Sequence, residues 1–149
     1  MPKTYRKYRR HIRELARHLG VTVNAWKDAV PCACQHQGWK QITIPPIHTE
    51  ATYAIALHEL GHHATRRRTV IDREVAAWEW AKSQALVWTP WMQVTAMRGL
   101  HSYLQHAARC LRMRWPDDDH QVWTWIARGI YTPLPRARAQ RRNSDHISD

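Results

Sequence analysis

The 149-residue chain contains no phenylalanine, only five glycines, three cysteines and twelve acidic residues. Each scarcity excludes something. Without phenylalanine, aromatic packing falls to nine tryptophans and five tyrosines, which bury large areas but carry polar atoms that need partners. Few glycines argue against a turn-rich, all-β architecture. Three cysteines, Cys32, Cys34 and Cys110, are an odd number, and the amino terminus has no apolar signal-peptide centre. A disulfide framework is therefore not expected, and a reducing, cytoplasmic setting is. Cys32 and Cys34 have one residue between them, whereas zinc-binding cysteine pairs have two to four, so these thiols and nearby His36 are read as part of a short strand or its turn. No apolar run reaches 18 residues, which argues against a membrane span.

The shortage of acids leaves a formal charge of +11 and a pI near 10.3. Such a balance suits nucleic acid or another polyanion as partner. Much of the charge is arginine, and solvated helix faces account for a share of it.

The length suits one domain, expected over residues 1–132, with residues 133–149 as a basic and polar tail without stable structure. Tyr8, Ile12, Leu15, Ala16 and Leu19 recur at helical spacing, with arginines mostly on the other side, and Gly20 stops that helix. Short β-prone runs follow; Gln41–Ile44 alternates as a half-buried strand and ends at Pro45 and Pro46. Thr49 is a plausible cap for a second helix with Tyr53, Ala54, Leu57, Leu60, Gly61 and Ala64 as its apolar stripe, running into Arg66, Arg67 and Arg68. A third helix is expected from an Asp72 cap to about Val87. A fourth starts at Pro90 with Met92, Met97, Leu100, Leu104, Ala108 and Leu111 inward and is broken by Pro116. Asp118 or Asp119 should cap a last helix carrying Val122, Trp123 and Ile126. The fold class expected is α+β and mainly helical, with a small antiparallel sheet packed on the second helix and the one after it.

The chemistry is concentrated in His58-Glu59-Leu60-Gly61-His62. Residues four apart share a helix face, so both imidazoles can reach one ion, and Glu59 stands beside them as a catalytic base. With 11 histidines and 5 glutamates in 149 residues, a shuffled chain would contain this pattern roughly 3% of the time. Its setting inside an apolar helix, AIALHELGHHA, implies buried imidazoles that need partners. A catalytic zinc takes three protein ligands, and Glu74 and Glu79 compete for the third place. They lie about 140° apart on a helix. Glu74 shares its side with Ala77, Trp78, Ala81 and Ala85, so it is the inward candidate; Glu79 shares its side with Lys82 and Ser83 and looks solvated. Gly61 and Ala77 would let the two helices approach closely.

HELGHH followed by DREVAAWEWA resembles the gluzincin zinc peptidases, and within them the small ImmA/IrrE-type metallo-endopeptidases common in phages and prophages. The likeness spans roughly residues 8 to 95. It implies Zn2+ held by His58, His62 and Glu74, with Glu59 as base, in an enzyme that cuts a regulatory protein. Many relatives carry a second acid two positions after the first, where this chain has Ala76. His63 is expected beside the ligands or at the surface. A histidine or tyrosine often hydrogen-bonds the oxyanion in such enzymes, which leaves His101, Tyr103 and His106 as candidates without a basis for choosing. Strand Gln41–Ile44 is expected to offer an edge to an extended peptide substrate.

Two other classes fit the composition. One is a basic DNA-associated regulator, with a helix-turn-helix-like element around Trp115 to Asp119. The other is an interaction protein with a purely structural zinc and no peptidase activity.

Overall fold

The computed structural model describes residues 3–25, 34–35, 40–110 and 112–126. Four helices dominate: α1 (Lys3–Leu19), α2 (Glu50–Ala64), α3 (Val70–Gln84) and α4 (Pro90–Arg109). Three short strands, β1 (Thr22–Ala25), β2 (Cys34–Gln35) and β3 (Gln41–Ile44), lie between α1 and α2. Among the described residues no helix is long and apolar enough to cross a membrane.

Helix α1 buries Tyr8, Ile12 and Ala16 and ends at Gly20, whose φ of 65° is the left-handed conformation that glycine adopts without steric cost. Helix α2 is the central element, touching α1, α3, α4 and the sheet. Its start is well specified. The Thr49 hydroxyl accepts from Thr52 N–H, and the Thr52 hydroxyl accepts from Thr49 N–H, each at 3.1 Å. This reciprocal cap satisfies two amides that would otherwise lack partners, worth about 1 kcal/mol. The helix closes at Thr65, so Arg66, Arg67 and Arg68 lie exposed beyond it and not in its last turn.

The sheet is not antiparallel, as the strand pattern had suggested. Its order is β1-β3-β2, and β1 runs parallel to β3 with Thr22 opposite Gln41 and Ala25 opposite Ile44. Only the two residues of β2 run antiparallel to β3. A hairpin was the simplest connection for short strands. Here β1 and β3 are separated by an intervening segment that includes β2, which frees them to run in the same direction. The expectation that Gln41–Ile44 presents an edge is corrected too: β3 is the central strand, hydrogen-bonded on both sides, so a substrate cannot add to it.

Several helix limits also differ from expectation. Helix α3 is capped by Thr69, three residues before Asp72, and ends at Gln84. Asp72 still contributes: its N–H donates to the Thr69 hydroxyl, which donates back to its carboxylate at 2.7 Å. Helix α4 starts at Pro90 behind a Thr89 cap, but it buries Ala96 and Ala107 where Met97 and Ala108 were expected, and it stops at Arg109, well before Pro116. Leu111, Cys32, His36 and the tail from 133 lie outside the described residues. The last expected helix is one 3-10 turn, Gln121–Thr124, capped by His120 and not by an aspartate. With a single turn there, residues 115–126 form no helix-turn-helix.

The core joins all these parts. Tyr53 on α2 stacks on Tyr8 of α1, with centroids 4.0 Å apart and planes within 4°. Its hydroxyl pairs with His11 Nδ1 at 2.7 Å and accepts from Leu86 N–H at 3.2 Å. The three hydrogen-bonded parts lie far apart in sequence, so this tyrosine anchors α1 and the segment after α3 to the central helix.

Candidate metal centre

The last two turns of α2 carry His58, Glu59 and His62, and α3 carries Glu74 opposite them. His58, Glu59 and Glu74 are buried polar residues, at 7%, 6% and 5% exposure, within the apolar core. Helix pairing explains how Glu74 comes so close. A Cβ placed on Gly61 would lie 2.6 Å from the Ala77 carbonyl oxygen and 2.9 Å from its Cα. Only glycine at 61 allows α2 and α3 to touch backbone to backbone.

The donor atoms converge. His58 Nε2 and His62 Nε2 are 3.0 Å apart. One Glu74 oxygen lies 3.1 Å from His58 Nε2 and the other 3.5 Å from His62 Nε2. Ligand atoms of the His58, Glu59 and His62 group all lie within 4.8 Å of one another. Zinc bonds nitrogen and oxygen at 2.0–2.1 Å, and tetrahedral geometry then separates neighbouring ligand atoms by about 3.3 Å. The separations from 3.0 to 3.5 Å bracket that value.

Protonation and direction also favour a cation. The His62 pKa is pushed down to about 4, first by burial and then by the neighbouring His58, so its ring is neutral with a lone pair available at physiological pH. The Glu74 oxygen facing His58 makes no hydrogen bond despite its 3.1 Å approach, and His58 Nδ1 is also buried without a partner. The short distance alone suggests an ion pair, but the misalignment is what decides: these atoms point toward a shared space and not along a donor–acceptor line. Buried carboxylates and neutral imidazoles gathered in this way fit a divalent metal.

Glu59 has a different environment. Burial pushes its carboxyl up to about 7; His58 counters this and Glu74 adds to it. A carboxyl that exchanges its proton near neutrality is matched to general-base work.

Two further residues support the centre. Trp78 on α3 stacks on His58 with centroids 4.1 Å apart and planes 23° apart. Gly99 on α4 makes room behind it, since a Cβ there would come within 3.3 Å of the indole. Tyr103 on α4 hydrogen-bonds Glu74, and its hydroxyl pKa is raised by burial, by the Glu74 charge, by that hydrogen bond and by Glu59. Sequence reading named Tyr103 beside His101 and His106 without a choice, because ten residues of helix leave azimuth and depth to packing. The Trp78 shelf went unread because an apolar face gives no sign of which ring it touches.

The other candidates go elsewhere. His63 is half-buried and hydrogen-bonds the Gln41 backbone, which ties α2 to the start of β3. Glu79 is half-buried and not solvated: it accepts from the Trp125 indole at 2.5 Å. His106 is exposed. Comparison with protein families, with characterised proteins and with solved structures finds no match to this chain.

Proposed function

We propose that this chain is a zinc-dependent endopeptidase in which His58, His62 and Glu74 hold the metal and Glu59 is the catalytic base. The observation that carries this reading is the convergence of both Nε2 atoms and the Glu74 carboxylate, with a second buried carboxylate of near-neutral proton affinity beside them. Glu74 is preferred to Glu59 as the third ligand because each of its oxygens lies against one imidazole. When bound, zinc supplies a Lewis acid that polarises the scissile carbonyl and brings the pKa of water toward about 7.

The chain's own groups carry the proton. Glu59 accepts it from the attacking water and delivers it to the nitrogen of the departing amine. Its burial makes both halves feasible, because an ordinary carboxylate would take the proton too weakly and a more basic group would not return it. Tyr103 holds Glu74 in place through its hydroxyl, and Trp78 fixes the plane of His58. Outer partners of this kind orient metal ligands and set their basicity. The resemblance of HELGHH and DREVAAWEWA to ImmA/IrrE-type enzymes favours a regulatory protein as substrate, in a phage or mobile-element setting.

Elemental analysis of the purified protein tests the centre. One zinc per chain is expected in the wild type and a strong loss in Glu74→Ala. Absence of zinc from folded wild-type protein would remove the basis of this function. Zinc that stabilises both wild type and Glu59→Gln, with no cleavage of candidate regulators by either, would instead mark a structural metal in an interaction protein.

A further inference from the structure

Helix α1 carries a feature that the metal centre does not use. Arg6, Arg10, Arg13 and Arg17 are all exposed. At 100° per residue they fall within an arc of about 60°, and at 1.5 Å per residue they extend over about 16 Å. Lys7 is exposed beside them, and Glu14 is the one acid in the helix. Among the described residues no carboxylate forms an ion pair with any of the four arginines. Surface arginines of a solvated helix commonly alternate with acids at i+3 or i+4. Here only Arg10, four residues before Glu14, has an acid at such spacing, and the row is otherwise cationic over its whole length.

We infer that this face of α1 is a docking surface for the phosphate backbone of a nucleic acid. Three observations choose among polyanions. An amphipathic helix that lies in an anionic membrane must insert its apolar side. Here that side is already committed, with Tyr8, Ile12 and Ala16 at 3%, 1% and 3% exposure and Tyr8 stacked on Tyr53. A protein partner takes most of its affinity from apolar or aromatic anchors at the centre of the patch. The exposed large apolar residues are Leu86, Val87, Trp91, Met97 and Tyr103, and none lies on α1. What α1 offers is a line of guanidinium groups, whose forked donors match phosphate oxygens. Binding through such contacts is independent of base sequence and depends steeply on salt. The surface is separate from the metal centre, so this inference stands or falls apart from the peptidase reading.

Fluorescence anisotropy of the full chain with a labelled DNA duplex of mixed sequence, across a series of NaCl concentrations, tests it. The variant carries Arg6→Gln, Arg10→Gln, Arg13→Gln and Arg17→Gln, which keeps helix propensity, and circular dichroism checks its helix content. A matched control carries Arg66→Gln, Arg67→Gln, Arg68→Gln and Arg109→Gln, removing the same charge from other exposed sites. The α1 variant should bind roughly tenfold or more weakly, and its slope of log K against log salt should fall by about 3 to 4, at about 0.9 per phosphate contact. The control should keep a slope near that of the wild type. Equal losses in both variants would reduce the effect to net charge and overturn the inference. So would undiminished binding by the α1 variant, or no duplex binding by the wild type. Tighter binding of polyglutamate than of duplex would overturn it in favour of an acidic protein.

Discussion

Gly61 and Ala77 meet backbone to backbone: a Cβ on the first would stand 2.6 Å from the carbonyl oxygen of the second. The centre depends on this contact, because it sets the distance between the imidazoles of α2 and the carboxylate of α3. Gly61→Ala cannot be absorbed by a rotamer change, since the obstacle is main chain. It should cost about 1–3 kcal/mol by overpacking, despite the gain in helix propensity. Zinc affinity should fall with it, since Glu74 moves away from His58 and His62. Thermal unfolding and zinc titration of the variant check both effects; wild-type affinity would show that the helices can part without disturbing the site.

Glu59→Gln separates metal binding from proton transfer. The amide is isosteric but cannot accept the proton, and in the assignment made above it is not a ligand. Zinc content should remain at the wild-type level while cleavage of a substrate falls by about 10² to 10⁴-fold. Loss of zinc in this variant would place Glu59, and not Glu74, among the ligands.

Tyr103→Phe removes only the hydroxyl that bonds Glu74. The phenyl ring keeps its packing, so stability should change little. Metal affinity or activity should fall by roughly 10 to 100-fold, the usual effect of deleting a partner that orients a ligand. Competition with a chromogenic zinc chelator measures the affinity, and an unchanged value together with unchanged activity would remove Tyr103 from the centre.

Asp72 predicts a pH effect far from the metal. The Thr69 hydroxyl holds its carboxyl below the ordinary value of 3.8; burial opposes this, and the His120 hydrogen bond and charge assist it. His120 accepts from Val122 N–H through Nδ1, so its Nε2 carries the hydrogen donated to Asp72 at 2.8 Å. A depressed carboxyl stabilises the fold above its unfolded pKa, and that contribution disappears as pH falls from 3.8 through the folded value. In Asp72→Asn this part of the acid destabilisation should be missing, and the variant should be the less stable of the two near neutrality. Melting temperatures of both proteins measured in parallel across this range decide it: parallel curves would show that Asp72 contributes nothing through its charge.

Local rules made much of the fold legible. Thr49, Thr89 with Pro90, and Gly20 mark ends that the structure keeps, because caps depend on a few adjacent residues. The end of α1 and the start of α2 therefore needed no tertiary information. Asp72 misled because an aspartate suits the first turn of a helix as well as its cap, and Thr69 three residues earlier competes for the same role. Met97 and Ala107 misled because α4 fits its inner face to Trp78 and α2, and small Ala96 and Ala107 fit where a methionine would not. The short strands could not reveal their directions, since parallel and antiparallel pairing satisfy the same alternation.

By itself the sequence determined which groups can do chemistry: i, i+4 imidazoles on one face of an apolar helix, a glutamate between them, and an arginine row on α1. Those follow from helix periodicity, which is local and nearly independent of context. Only the tertiary structure decided what these groups face. It brought Glu74 to the imidazoles and turned Glu79 to Trp125, placed Tyr103 on Glu74, and enclosed β3 between two neighbours. Each of those outcomes depends on the approach of two elements, and here the closest approach is set by the absence of a side chain at Gly61.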